Sequence, residues 1–366
     1  MKRLKALSLF SNVGVSEYYL KENGIDVVVA NELEKDRADF YRLLYPDVDM
    51  VQGDITKNNI YEEIKHKVNE FDIDLIIATP PCQGMSIAHA KRADKNDPRN
   101  SLIKRVVTLV KHIQPKYVLV ENVPGMLKTY LKHYNKEKLI KVYLSDTLGS
   151  DYNIKYKVLD CADYGTPQHR SRLITLMSRE GKWLHPEAST PKDKQITVKK
   201  AIGDLPSLES GEKCDSIPWH SGKNAHDWHI HWMKHTPTGK SAFNNLVWAP
   251  CTIDKDLGMP RLIKGFRTTY KRIDWNKPAP AITMQNGSIN SQHNVPPGRE
   301  KDDGTYSDAR VLSVREILIL CGLPDNWLDK HPDMNENFVR KVLGECFPPK
   351  FCLAMMKTIP EFQKNT

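Results

Sequence analysis

Short β-rich runs alternate with helical stretches through residues 1–180, and few architectures accommodate that order. Segments 5–10, 26–30, 74–78, 117–120 and 173–177 read as strands. Between them, 15–21, 36–44 and 102–112 carry helical spacing. The alternation predicts an α/β layer around a largely parallel sheet, with 173–177 as the strand that closes it. In such sheets ligands gather beyond the carboxyl ends of the strands. The residues of chemical interest fall there: Phe10 to Gly14, Glu32, Asp54, Pro80 to Cys82 and Glu121.

After about residue 184 the pattern changes. Residues 211–272 hold ten Lys or Arg against five Asp or Glu, with four of the seven tryptophans and five of the thirteen histidines. Periodicity is poor there, so loops and short strands are expected; 313–322 and 336–344 return to helical spacing. With 366 residues the chain is long enough for one large domain and a smaller one. No apolar run approaches the roughly 20 residues of a membrane helix. The basic-then-apolar start is too short for a leader and lacks a cleavage site, so a cytoplasmic protein is expected. The net charge of +9 suits a polyanionic partner, since neutralised phosphates release counterions. Seven cysteines without a CxxC pair suggest neither a disulfide framework nor a zinc ribbon.

Cys82 has an unusual neighbourhood. It follows Pro80-Pro81 at the end of a buried strand and precedes Gln83-Gly84, and prolines do not belong in a strand interior. A thiol so placed stands at the mouth of the sheet. With an ordinary pKa near roughly 8.5 it needs local help to act as a nucleophile. A buried structural cysteine is the plainer alternative for a lone thiol.

The stretch Thr79-Pro80-Pro81-Cys82-Gln83-Gly84-Met85-Ser86 resembles the catalytic loop of DNA cytosine-5 methyltransferases. Glu121-Asn122-Val123 is similar to their ENV motif, and Gln168-His169-Arg170-Ser171-Arg172 to their QxRxR motif. Arg272-Ile273-Asp274-Trp275 with Pro278 to Thr283, then Ser313 to Glu316 with Gly322 to Asp325, resemble two later blocks. Five motifs in order span nearly the whole chain outside roughly 190–270. The resemblance implies a Rossmann-like S-adenosylmethionine-dependent domain over 1–190 and 337–366. It also implies a smaller, irregular target-recognition domain with a hinge over 191–336.

The implied chemistry explains the residue types. Carbon 5 of cytosine is a poor nucleophile until a thiolate, here Cys82, adds at carbon 6. Glu121 would assist at ring nitrogen 3 as an acid in a secluded site. Arg170 and Arg172 would hold the cytosine carbonyl oxygen and orient Glu121 or a phosphate. The base must first leave the duplex. Gln83 would help fill the vacated space, and Ser86, Lys91, Arg92, Arg99 and Gln168 would contact DNA around it. The base that removes the carbon 5 proton is not identified.

For the cofactor, the resemblance implies Phe10, Ser11, Asn12, Val13 and Gly14 in the turn after the first strand. Asn12 and Val15 stand where the family often carries glycine. Glu32 and Leu33 would meet the ribose, Asp54 and Ile55 the adenine, with Pro80 and Leu102 nearby. Gly344-Glu345 stands where the family usually has Gly-Asn, so Glu345 replaces a neutral amide at the methionine end, with Cys346 beside it. Arg261 and Arg267 are candidates for reading guanine. His226, His229, His231 and His235 invite a zinc reading, but the chemistry needs no metal and no cysteine pair supports one, so none is assigned.

The expected partner is double-stranded DNA, read by a monomer, with a restriction endonuclease sharing the site without binding. Alternatives remain. An RNA cytosine methyltransferase is disfavoured by the long 172–272 segment, and amino-methylation by the lack of an Asn/Asp-Pro-Pro-aromatic motif. A silent DNA-binding relative is disfavoured by intact Cys82, Glu121 and Arg172; a dehydrogenase lacks GxGxxG after the first strand.

Overall fold

The computed structural model describes residues 3–81, 98–134, 136–254 and 256–363. Cys82, Gln83, Ser86, Lys91 and Arg92 lie outside the described residues. The chain divides into two compact units. One comprises Met1–Tyr164, Ser171–Ser189 and Phe347–Thr366, the other Gly165–Arg170 and Thr190–Cys346.

The first unit is built on a seven-stranded sheet. Its strands are β1 (Leu4–Leu9), β2 (Ile25–Glu32), β3 (Asp49–Gln52), β4 (Leu75–Ala78), β5 (Tyr117–Asn122), β8 (Asn153–Asp160) and β9 (Ser171–Ser178), in the order β3-β2-β1-β4-β5-β9-β8. The first five run parallel; β9 is antiparallel to both β5 and β8. A separate hairpin joins β6 (Tyr130–His133) to β7 (Lys136–Leu139).

Alternate side chains feed two cores, as the pleat requires. Leu7, Leu9, Ile76, Val118 and Val120 face one core. There they meet Ile64 of α2 (Asn58–Val68), Val106 and Val110 of α3 (Leu102–Ile113) and Leu144 of α4 (Ile140–Leu148). Leu4, Ala6, Leu75, Ile77, Tyr117 and Leu119 face the other core, closed by Trp183 and by Phe351 and Met355 of α9 (Pro349–Met356). Another helix, α1 (Lys35–Leu44), follows β2. Among the described residues no helix is long and apolar enough to cross a membrane.

Three expectations need correction. The 173–177 strand does not close the sheet; β8 lies beyond it and is mostly exposed or half-exposed, which hides an edge strand from an apolar pattern. Strand β3 escaped notice because only Val51 of its four residues is buried. The expected helix over 15–21 is two 3-10 turns, Val15–Glu17 and Lys21–Asn23. Left-handed glycines at 14 and 24 bound this short crossover and leave no room for a longer helix.

The second unit has little regular structure: α5 (Val198–Ile202), α6 (Asp227–Lys234), the β10–β11 hairpin (Cys251–Ile253 and Pro260–Leu262), α7 (Val314–Leu320) and α8 (Glu336–Glu345). A capping box of Ser313 and Glu316 starts α7. Trp232, Met233, Tyr270, Ile289, Val295 and Val311 form its core cluster. The chain enters the second unit for Gly165–Arg170, returns, enters it again at Thr190 and re-enters the first at Phe347.

Candidate active site

The turn after β1 carries three left-handed residues, Phe10 (φ 58°), Asn12 (52°) and Gly14 (74°). A Cβ on Gly14 would lie 2.3 Å from Tyr45 Cε2 and 2.9 Å from Tyr41 Cε2, so only glycine fits. The Tyr45 hydroxyl donates to the Gly14 carbonyl at 2.7 Å. Ser11 donates through both its amide (3.1 Å) and its hydroxyl (3.2 Å) to the Asn31 carbonyl, and Val13 is fully buried. At the end of β2 the Glu32 carboxylate, 5 % exposed, accepts the Asn12 amide at Oε2 (2.9 Å) and the Glu34 amide at Oε1 (3.0 Å). Leu33 is exposed beside it. Asp54 Oδ1 accepts from the amide and hydroxyl of Thr56, Ile55 is buried, and Leu102 packs partly buried against the core.

A second group stands at the ends of β4 and β5. Thr79 Oγ1 donates to the Phe10 carbonyl (2.9 Å), tying the Pro-Pro segment to the turn after β1. Asn122 Nδ2 donates to the Pro80 carbonyl (3.0 Å), and its Oδ1 accepts the Val123 amide (2.8 Å). Glu121 pairs with Arg172: Nε lies 2.7 Å from Oε1, and the two side chains keep 15 % and 11 % of their surface exposed. The antiparallel register makes this possible, since Glu121 faces Ile174 and Asn122 faces Leu173, leaving Arg172 just beyond the strand end. Asn122 and Thr79 were quoted within motifs, but no role was read for them; a side-chain clamp on a backbone carbonyl leaves no spacing signal.

Glu17 is another unforeseen group. It is fully enclosed, accepting from the Ser8 hydroxyl at 2.5 Å and from the Tyr41 hydroxyl. Burial pushes its carboxyl up to about 7, against the two hydroxyl donors, which favour the charged form. The residue it holds, Tyr41, is one of the two rings that close over Gly14.

The second unit holds the remaining candidates. Gln168 is fully buried; its Nε2 donates to the Leu320 carbonyl (3.3 Å) and its Oε1 accepts the Ile282 amide (3.3 Å). Arg170, 5 % exposed, donates from Nη1 to the Ile282 carbonyl (2.8 Å) and from Nη2 to the Gly344 carbonyl (3.1 Å). Both side chains bond to the second unit's own backbone. Glu345 is half-buried and Cys346 buried. Cys346 lies beside Cys321, whose thiol that neighbour and burial push well up. Arg261, largely exposed, pairs with Asp254 (3.1 Å), and Arg267 is exposed. Arg99 sits half-buried in a 3-10 turn in the first unit. The histidines pack on aromatics, His231 on Trp248 (4.4 Å) and His229 on Tyr270 (5.2 Å). Among the described residues no group of three His, Cys, Asp or Glu is set to hold a metal ion.

The sheet order and the turn after β1 define a Rossmann-like α/β methyltransferase fold. Two solved structures share it. A DNA modification methyltransferase encoded in an E. coli prophage matches with TM-score 0.69 at 20 % identity, covering 99 % of both chains. The S. pombe Dnmt2 methyltransferase matches with TM-score 0.62 at 15 % identity, covering 100 % of this chain and 99 % of that one. Residues 4–361 match the family model of C-5 cytosine-specific DNA methylases, to which the chain belongs. It is thus a DNA (cytosine-5) methyltransferase. The type II methyltransferase M1.HgaI of Avibacterium volantium is 47 % identical over 352 residues, 95 % of this chain and 96 % of that protein.

Proposed function

We propose that this enzyme transfers a methyl group from S-adenosylmethionine to carbon 5 of a cytosine flipped out of a short, specific duplex sequence. It would be the modification half of a restriction–modification system, acting as a monomer alongside a nuclease that reads the same site. The observation that carries the reading is the Glu121–Arg172 pair at 2.7 Å, next to Asn122, which clamps the Pro80 carbonyl at the end of the neighbouring strand.

The cofactor assignment fits the residues present. A carboxylate fixed by two backbone amides at the end of β2, Glu32, suits a ribose diol. Asp54 and Ile55 would take the adenine, and Glu345 with Cys346 the methionine end. S-adenosylmethionine supplies an electrophilic methyl group when bound. This chain's residues prepare the acceptor. The Cys82 thiolate adds to carbon 6 and the electron pair moves to carbon 5, while Glu121 donates to ring nitrogen 3. After carbon 5 takes the methyl group, loss of its proton returns the pair to the ring and expels the thiolate. Arg172 holds one oxygen of Glu121 in plane, leaving the other for the base. Gln168 and Arg170 are assigned to the framework. The second unit, with Arg261 and Arg267 exposed, is assigned the choice of sequence.

Tritiated methyl transfer to unmethylated DNA, with bisulfite sequencing of the product, tests this. Methylcytosine at one short motif, lost on Cys82→Ala, is the expected outcome. Transfer to RNA alone, or full activity in Cys82→Ala, would sink it.

A further inference from the structure

Outside the recognition segment, the first unit carries a surface none of these assignments uses. Residues 128–141 include five lysines and one glutamate. The structure folds them into the 3-10 turn Pro124–Lys128, the β6–β7 hairpin and the start of α4. The hairpin begins eight residues after Asn122, the last residue of the strand that carries Glu121. It is anchored: Leu131 is buried in the main core, the His133 ring packs edge-on against Tyr143 of α4 at 5.0 Å, and Lys104 of α3 donates to the Lys132 carbonyl.

The charges are left outside. Lys138 is matched by Asp146 at 2.7 Å. Lys128, Lys132, Lys136 and Lys141 are exposed, and among the described residues no carboxylate lies within ion-pair distance of them. Even Glu137, paired with Lys132 across the hairpin, makes no bridge to it. Tyr134 stands at the turn, 90 % exposed, with a left-handed φ of 52° that a bulky residue seldom adopts. A protein gains nothing in stability from concentrating like charges on one small element.

We infer that the β6–β7 hairpin is a sequence-independent phosphate clamp for the DNA substrate. This rests on the reading of the enzyme as a duplex DNA methyltransferase. Duplex DNA is the polyanion the enzyme acts on, and the residue types favour phosphate over base edges. Lysine is a strongly hydrated point charge, and the tyrosine hydroxyl can donate to a phosphate oxygen. The hairpin carries no arginine, the residue that most often reads guanine bidentately.

The test is DNA affinity of the full chain as a function of salt, for cognate and unrelated duplexes, with S-adenosylhomocysteine present. The variant combines Lys128→Gln, Lys132→Gln and Lys136→Gln. Each lost phosphate contact should reduce the slope of log affinity against log salt by about 0.9, so the triple variant should lose roughly two to three units of slope. Both duplexes should lose affinity by the same factor, leaving their ratio unchanged. The arginine triple variant at the same positions should restore the slope, and Lys350→Gln with Lys357→Gln, at α9 against the other sheet face, should leave it alone. An unchanged slope in a variant that melts and binds S-adenosylhomocysteine like wild type overturns the inference. So does a loss confined to the cognate duplex. If wild type binds no duplex at all, the methyltransferase reading falls and the clamp with it; an unchanged slope alongside normal methylation removes only the clamp.

Discussion

Two arginine–carboxylate pairs show how differently the units are built. In the first, Arg172 holds Glu121 by one oxygen at 2.7 Å, at the end of a strand, with a little of both side chains exposed. In the second, Arg310 grips both oxygens of Glu316 (2.8 and 2.9 Å) and one of Asp308 (2.9 Å), fully buried. The contrast extends to the surroundings. The first unit satisfies its backbone with a sheet and fills the space with aliphatic side chains. The second has little regular structure, so its buried carbonyls need other donors. Arginines supply them: Arg272 donates to the carbonyls of Met233, Pro296 and Asp308, and Arg340 to that of Asn286. Burial lowers Arg272 to about 10, still charged at neutral pH. A guanidinium does for the irregular unit what a neighbouring strand does for the sheet.

The sharpest way to break that comparison is to remove one member of each pair. Glu121→Gln should lower kcat by roughly 10²–10⁴ while leaving the melting transition near that of wild type, because general-acid assistance is lost but packing is not. Arg310→Met should cost about 3–5 kcal/mol of stability, since it leaves the buried Glu316 carboxylate without its cation and Asp308 with Arg299 alone. Methyl-transfer kinetics and denaturant unfolding read the two. A strongly destabilised Glu121→Gln, or an Arg310→Met of normal stability, would erase the distinction.

Glu17 sharpens it from within the first unit, as a buried carboxylate held without an arginine. Its folded value of about 7 lies above the ordinary 4.5, so between these values the folded protein keeps a proton that the unfolded chain has released. Its contribution to stability is therefore fullest below about pH 4.5 and is lost as pH rises through about 7, by about 3 kcal/mol at most. Glu17→Gln should flatten this dependence and be more stable than wild type at alkaline pH. Melting curves across the window decide it; equal slopes in both proteins would mean that another group sets the dependence. Since Tyr41 links Glu17 to the Gly14 turn, the affinity for S-adenosylhomocysteine should follow the same pH window.

How far the sequence reveals each unit follows from the same difference. Buried parallel strands such as β4 and β5 are continuous apolar runs, and 74–78 and 117–120 predict them within a few residues. Glu32, Asp54, Pro80 and Glu121 stand at or just past strand ends. The half-exposed β8 leaves no such trace. Neither does Glu17, whose role depends on Ser8 and Tyr41 folding onto it. Spacing also cannot tell Arg170 from Arg172. Two residues apart in one motif, they go to different units, one to the carbonyls of Ile282 and Gly344 and one to Glu121. In the second unit guanidinium bonds join residues as far as 174 positions apart, Arg170 and the Gly344 carbonyl, which no local pattern encodes.

The smallest expected effect separates orientation from direct contact with the substrate. Arg172→Lys keeps the charge near Glu121 but replaces a planar donor fork with a point charge on a flexible stem. If Arg172 acts by holding Glu121 in plane, kcat should fall about tenfold, roughly 1.4 kcal/mol, with KM for DNA little changed. The same substitution in a Glu121→Gln background should then cost almost nothing further, because the group it positions is already gone. Additive losses would instead place Arg172 on the cytosine itself, with the 2.7 Å pair as its resting contact.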